Sequence, residues 1–119
     1  PILQHPSAII SPSAQIGSGT LIVAGSIVNA DAHIGAGVIL NTASSVDHDC
    51  TLGDFVHISP GARLAGNVRV GARSWIGIGA VIREGVTIGE DALIAAGAVV
   101  IDDVADGQCV MGIPASVSR

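Results

Sequence analysis

Residues 70–100 read VGARSWIGIGAVIREGVTIGEDALIAAGAVV, and the order of aliphatic and small residues in this stretch decides the fold. Counting by six from Val70 lands on Ile76, Ile82, Ile88, Ile94 and Val100, and two places before each stands Ser74, Ala80, Val86, Ala92 or Ala98. The same count carried backward meets Leu64, Ile58, Leu52, Val46, Leu40, Ile34, Val28, Ile22, Ile16 and Ile10. All sixteen positions are Ile, Leu or Val, types that fill 36 of the 119 residues, so chance agreement is on the order of one in 10⁸. The small column continues as Ala62, Cys50, Ser44, Ala32, Ser26, Thr20 and Ala14. A period of 18 overlies the period of six: Gly17, Gly35, Gly53, Gly71 and Gly89 form one column, and Gly25, Ala43, Gly61, Gly79 and Gly97 another. Three hexads therefore make one turn of a solenoid of short parallel strands. The glycines fall at corners that need a tight turn or a positive φ. Helical spacing finds no comparable pattern.

Composition agrees with that reading. The chain is 49% hydrophobic and 13% charged, with one Phe, one Trp and no Tyr, so its core is built from Ile, Val, Leu and Ala. A triangular prism has room for one aliphatic side chain per face and layer, which explains the scarcity of rings. Disorder is excluded by the hydrophobic content. A net charge of −5 excludes a nucleic-acid partner, because phosphate binding needs clustered cations. Aliphatic runs such as 92–101 are about half a membrane span and contain Gly97, so no membrane partner is expected. Cys50 and Cys109 make no disulfide framework and no basic leader opens the chain, which points to a cytoplasmic protein. The domain reading is a lead-in over 1–9, a β-helix of about five coils over 10–105, stacked ~4.8 Å apart, and a C-terminal tail over 106–119. Short prisms leave apolar sides and open edges, which favours self-association.

Four histidines are the first candidates for chemistry. His5 and His33 are read as solvated surface residues. His48 lies in Val46-Asp47-His48-Asp49-Cys50, two places past an inward residue, so it points outward at a corner between the small Ala30 and Gly66 of adjoining coils. Neighbouring carboxylates can orient an imidazole and raise its basicity, and a polar turn held by Asp side chains accounts for the same residues. His57 follows nine residues later, half of an 18-residue coil, on the opposite side of the prism. A site using both histidines must therefore be built between two protomers. Within one chain, His57 stacks in a column with Ile39, Trp75 and Leu93, as a partly buried interface histidine would.

The repeat, aliphatic–Gly–x–x–small–x, resembles that of the hexapeptide-repeat family, and the resemblance implies an all-β, left-handed parallel β-helix that assembles as a homotrimer. Residues 41–50 (NTASSVDHDC) and 53–61 (GDFVHISPG), with Ala65-Gly66-Asn67-Val68 and Gly112-Ile113-Pro114-Ala115, look like the active region of bacterial sugar acetyltransferases. These include the sialic acid O-acetyltransferase type and the N-acetyltransferases of nucleotide-linked amino sugars such as bacillosamine and perosamine. The resemblance implies that acetyl-CoA is the donor and that His48 is the general base, with Asp49 increasing its basicity. It also implies that His57 meets the thioester carbonyl, that Ile78 and Ala96 hold pantetheine between protomers, and that Gly66 makes room for it. Gly77, Gly79, Ala95, Ala96 and Gly97 form a low wall along which a thin chain can lie, and ordinary prism turns account for the same small residues. The resemblance implies as acceptor a sugar or nucleotide-linked sugar, with amine or hydroxyl left open. Transfer is direct, since no activated Ser or Cys stands beside His48. Arg63, Arg69, Arg73, Arg83 and Arg119 are the cations available to CoA phosphates. Relatives of this type carry a small α/β domain ahead of the prism, and here the prism begins almost at once.

Other chemistries on this prism fail on spacing. No metal is expected: the family's zinc carbonic anhydrases use a His-x-x-x-x-His spacing, and the gaps between histidines here are 28, 15 and 9. Thr20, Thr42, Thr51 and Thr87 do not stack into an ice-binding rank, and the Gly-Gly-x-Gly-x-Asp calcium repeat is absent. The alternative to an enzyme is a trimeric β-helix scaffold that lacks independent activity.

Overall fold

The structure, a computed structural model, describes residues 1–118. The molecule is a parallel β-solenoid of about six turns with principal extents of 40 × 20 × 19 Å. Its three faces are built from two-residue strands that repeat every 18 residues. The first face stacks Leu3–Gln4, Leu21–Ile22, Ile39–Leu40, His57–Ile58, Trp75–Ile76, Leu93–Ile94 and Cys109–Gly112. The second stacks Ile9–Ile10, Ile27–Val28, Ser45–Val46, Arg63–Leu64, Val81–Ile82 and Val99–Val100. The third stacks Gln15–Ile16, His33–Ile34, Thr51–Leu52, Arg69–Val70 and Thr87–Ile88. In each pair the second residue points inward. Ile22, Leu40, Ile58, Ile76 and Ile94 are wholly buried, as are small-column residues such as Ala32, Cys50, Ala62 and Ala80. Truncating Ile58 to Ala is expected to cost about 2–5 kcal/mol, because a stacked aliphatic column cannot collapse around the gap.

Buried hydroxyls in the small column are satisfied by carbonyls of the next coil. Thr20 Oγ1 donates to Gly35 O at 2.9 Å, Ser26 Oγ to Asn41 O at 2.8 Å and Ser74 Oγ to Gly89 O at 2.6 Å. The two glycine columns serve different purposes. A Cβ on Gly71 would lie 2.5 Å from Glu90 N, so this column permits close approach of coils. In the other column Gly61 and Gly79 have φ of 70° and 66°, a left-handed corner. That conformation recurs at the third residue after the inward aliphatic, including Asp31, Ala43, Asp49, Phe55, Asn67, Arg73 and Asp91.

The prism is longer than the 10–105 boundary. Leu3–Gln4 pairs in parallel with Leu21–Ile22, so the lead-in 1–9 is the first coil, and Gln4 hides it from the count by standing in an aliphatic column. At the other end Ile88 bridges Val104 and Ile94 pairs with Val110, each 16 residues on instead of 18. Two residues are missing from the corner after Val100, and the six-residue count resumes at Val104 and Val110, both buried. The segment 106–118 therefore completes the last coil and turns back as an antiparallel hairpin, Cys109–Gly112 with Ala115–Val117.

Outward residues distinguish the three faces. The first presents Leu3, Leu21, Ile39, His57, Trp75 and Leu93; the third presents Gln15, His33, Thr51, Arg69 and Thr87. The second is mixed, with Ile9, Ile27, Val81 and Val99 around Ser45 and Arg63. Both aromatic side chains lie on the surface, Phe55 65% and Trp75 50% exposed.

Candidate active site

The sequence-predicted residues fall into two groups. His48, Asp49 and Gly66 share the corner between the second and third faces. His57, Ile78 and Ala96 share a groove of about 310 Å³ along the first face, with Ser59, Pro60, Trp75, Gly77, Leu93 and Ala95. His57 stands on a strand of the first face, whereas His48 lies in the turn between a strand of the second face and one of the third.

At the corner, Asp49 takes the left-handed conformation with φ 59°, which Asp tolerates. Its carboxylate turns back onto the preceding ring, so His48 Nδ1–H donates to Asp49 Oδ2 at 3.1 Å. That bond places the neutral ring's proton on Nδ1 and leaves Nε2 bare. Asp47 shapes the turn: its Oδ1 accepts from His48 N at 2.7 Å and from Asn29 Nδ2 at 3.0 Å. The His48 side chain is 55% exposed. The Asp49 hydrogen bond raises the imidazole pKa above its ordinary value; the slight burial opposes this, and the charges of Asp47, Asp49 and Glu84 reinforce it.

The ring lies over Gly66. A Cβ at Gly66 would meet His48 Nε2 and sit 2.5 Å from Cε1. The room left by Gly66 is thus taken by the imidazole itself, with its Nε2 edge turned along the stack. Glu84, one coil beyond Gly66 in the same column, is the carboxylate on that side, and sequence reasoning missed it. Its signal was the spacing of two coils, 36 residues, from His48.

On the first face, His57 is partly buried, and burial lowers its pKa. Its ring packs edge-on against Trp75, with centroids 4.1 Å apart and planes at 68°. Asn41 Nδ2 approaches His57 Nε2 at 3.3 Å. Asn41 was the second residue missed; it lies one coil before Ser59, next to the histidine column. Gly77, Ala95 and Ala96 keep the groove floor low, and Ile78 is 62% exposed beside it.

Several other candidates bond within the chain. His5 Nδ1 bonds Ser7 Oγ at 2.7 Å, and His33 Nδ1 donates to Asp31 O at 3.0 Å. Cys50 is a core thiol: burial raises its pKa, and its Sγ donates to Ala65 O at 3.1 Å. Arg73 is held by Asp91 through two hydrogen bonds of 2.8 and 3.1 Å, and Arg63 Nη1 donates to Ala43 O at 2.6 Å. Arg119 lies outside the described residues. No helix of the described residues is long and apolar enough to cross a membrane.

The sequence profile described as Bacterial transferase hexapeptide (six repeats) matches residues 67–102, within the stretch whose columns built the prism. Over those residues the chain carries the hexapeptide repeat of bacterial transferases. Solved structures resemble it over almost its whole length. The acetyltransferase domain of PglB from Neisseria gonorrhoeae FA1090, also solved with acetyl coenzyme A, is 50% identical with a TM-score of 0.97, covering 99% of this chain and 58% of that one. A variant of perosamine N-acetyltransferase from Caulobacter crescentus, in complex with CoA and GDP-perosamine, is 44% identical with a TM-score of 0.98, covering 99% and 56%. WeeI from Acinetobacter baumannii AYE is 34% identical with a TM-score of 0.94, covering 97% and 57%. The hexapeptide-repeat chain described here thus spans little more than half the length of these relatives. No curated protein matches it significantly.

Proposed function

We propose that this chain carries the catalytic prism of an acetyl-CoA-dependent sugar acetyltransferase, with an amino group of a nucleotide-linked sugar as the acceptor. One observation carries the reading: a half-exposed, carboxylate-oriented imidazole with a bare nitrogen at one corner, and a small-residue groove ending at a second imidazole on another face. The likeness to proteins solved with acetyl coenzyme A, and with CoA and GDP-perosamine, supports donor and acceptor class.

The groove fits the donor. Pantetheine is a thin chain, and Gly77, Ala95 and Ala96 leave backbone for it to lie against while Ile78 offers apolar contact. Acetyl-CoA supplies an acyl carbonyl and a thiolate leaving group. His48 Nε2 takes the proton that the acceptor nitrogen loses as it attacks, with Asp49 stabilising the imidazolium, and returns it to the sulfur. His57 faces the acyl oxygen, where a donor stabilises developing negative charge. Gly66 serves by admitting the His48 ring.

His48 and His57 act together only across two protomers, so the sites lie between subunits, and the family resemblance makes the assembly a homotrimer. The contrast between the apolar first face and the polar third supports it, because an exposed column of Leu3, Leu21, Trp75 and Leu93 favours burial against a second copy. A cytoplasmic location belongs to the same proposal, in keeping with two free thiols and the donor's own compartment.

Calorimetric titration with acetyl-CoA, with the oligomer mass measured in the same buffer, tests the reading. Micromolar binding at one site per protomer of a trimer is expected. A well-formed trimer that binds no acetyl-CoA would leave the scaffold reading in its place.

A further inference from the structure

The two imidazoles at the candidate site are held by opposite atoms. At His48 the partner is a carboxylate on Nδ1, which leaves a lone pair on offer. At His57 the partner is the Asn41 amide, and its effect depends on which way that amide points. Thr42 settles the orientation. Its backbone N–H donates to Asn41 Oδ1 at 2.8 Å, and its hydroxyl lies 3.4 Å from the same oxygen. A backbone N–H has only a donor to offer, so the oxygen must be on that side and the amide nitrogen must face His57. The 3.3 Å contact is therefore an Asn41 N–H donated to His57 Nε2.

We propose that Asn41 is a positioning residue that holds His57 in its neutral, Nδ1-protonated tautomer, so that the ring presents a hydrogen-bond donor to the acyl carbonyl in the Trp75–Ile78–Ala96 groove. This rests on the acetyl-CoA reading above for its ligand. A ring that accepts at Nε2 and stays neutral must carry its proton on Nδ1. Partial burial against Trp75 disfavours the charged form, in which both nitrogens would donate. The opposite tautomer would turn a lone pair toward the carbonyl oxygen and repel it. Trp75 fixes the ring plane and Asn41 fixes the proton.

The proton's position is read directly by nitrogen–proton correlation spectra of the ¹⁵N-labelled chain without ligand. In the unmodified protein His57 is expected to show a bare Nε2 and a protonated Nδ1. Asn41→Asp keeps an acceptor for Thr42 N–H and puts a carboxylate against the ring, so the proton is expected to move to Nε2 while the His48 signals stay in place. A protonated Nε2 in the unmodified neutral ring would overturn the proposal. The functional half is tested by calorimetry with two probes, acetyl-CoA and CoA, of which only the first has the carbonyl. Asn41→Asp is expected to weaken acetyl-CoA about tenfold, the worth of one hydrogen bond of about 1.4 kcal/mol, and to leave CoA within about twofold. Equal weakening of both probes, or of neither, would overturn it. Should the Asp variant not fold, Asn41→Ala is expected to give a mixture of tautomers and the same loss confined to acetyl-CoA; a single Nδ1-protonated form there overturns the assignment. Because the tautomer is read without ligand, its failure and the failure of acetyl-CoA binding are separate results.

Discussion

The His48 corner and the His57 face use the same side chain for opposite ends. At the corner, solvent and three carboxylates, Asp47, Asp49 and Glu84, push the imidazole toward binding a proton. On the face, an indole edge and an amide make the ring a neutral group that binds a second proton less readily. The comparison teaches that residue type does not assign a role in this prism. What distinguishes the two rings is the polar neighbour each meets, a carboxylate in the same turn or an amide on the preceding coil, and where the coil places the ring.

The largest blow to that contrast is His48→Ala. Turnover is expected to fall about 100-fold or more, the usual worth of a general base, with acetyl-CoA affinity nearly intact because His48 is not among the residues lining the proposed donor groove. A variant that turns over at the unmodified rate would remove His48 from the mechanism. Gly66→Ala comes next. Its backbone can accept a Cβ, but that atom would occupy the place of the His48 ring, so the base is driven from its position. A loss of turnover of about tenfold is expected, with little change in thermal midpoint, since small misplacement of a reacting group is costly. Full activity in this variant would show that the ring works from elsewhere.

Asp49→Asn sharpens the comparison by making the corner resemble the face. Asn accepts the left-handed backbone at this position, so folding is preserved while the charge is lost. The sign follows from the raised pKa of His48. The base works when neutral, so activity falls as pH drops through that pKa, which lies above the ordinary histidine value. Removing the carboxylate lowers it, so the acidic limb of the rate–pH profile is expected to move to lower pH and the plateau rate to drop about threefold. A limb that stays put would mean that another group titrates. Glu84→Gln should have the smallest effect, a slight lowering of the His48 pKa seen by proton NMR titration; a rise would contradict the favourable action of its charge on the ring.

Much of this was legible in the sequence. A two-residue strand has one inward position, so inward chemistry repeats every six residues and faces repeat every 18. That is why the faces, the corner position of His48 and the column of His57 and Trp75 could be counted off. The count failed where one residue broke the rule, at Gln4, and where a corner lost two residues after Val100. Neither event leaves a periodic trace, and the coils are held there by backbone hydrogen bonds that no side-chain pattern reports. The site was only partly readable. His48, Asp49, His57, Gly66, Ile78 and Ala96 came from a motif; Glu84 stands in the His48 column two coils on and could have been counted off, whereas the contact of Asn41 with His57 depends on side-chain directions that spacing does not give.

The sequence by itself determined the prism, its 18-residue turn and its aliphatic core, because burial of one side chain per strand is a local and repeated demand. The tertiary structure alone decided that Gly66 yields its space to an imidazole, that Asp49 bonds Nδ1 and that Asn41 bonds Nε2. The first and last depend on contacts between coils, 18 and 16 residues apart, and the second on a rotamer within one turn; hydrogen-bond geometry then fixes which nitrogen carries the proton.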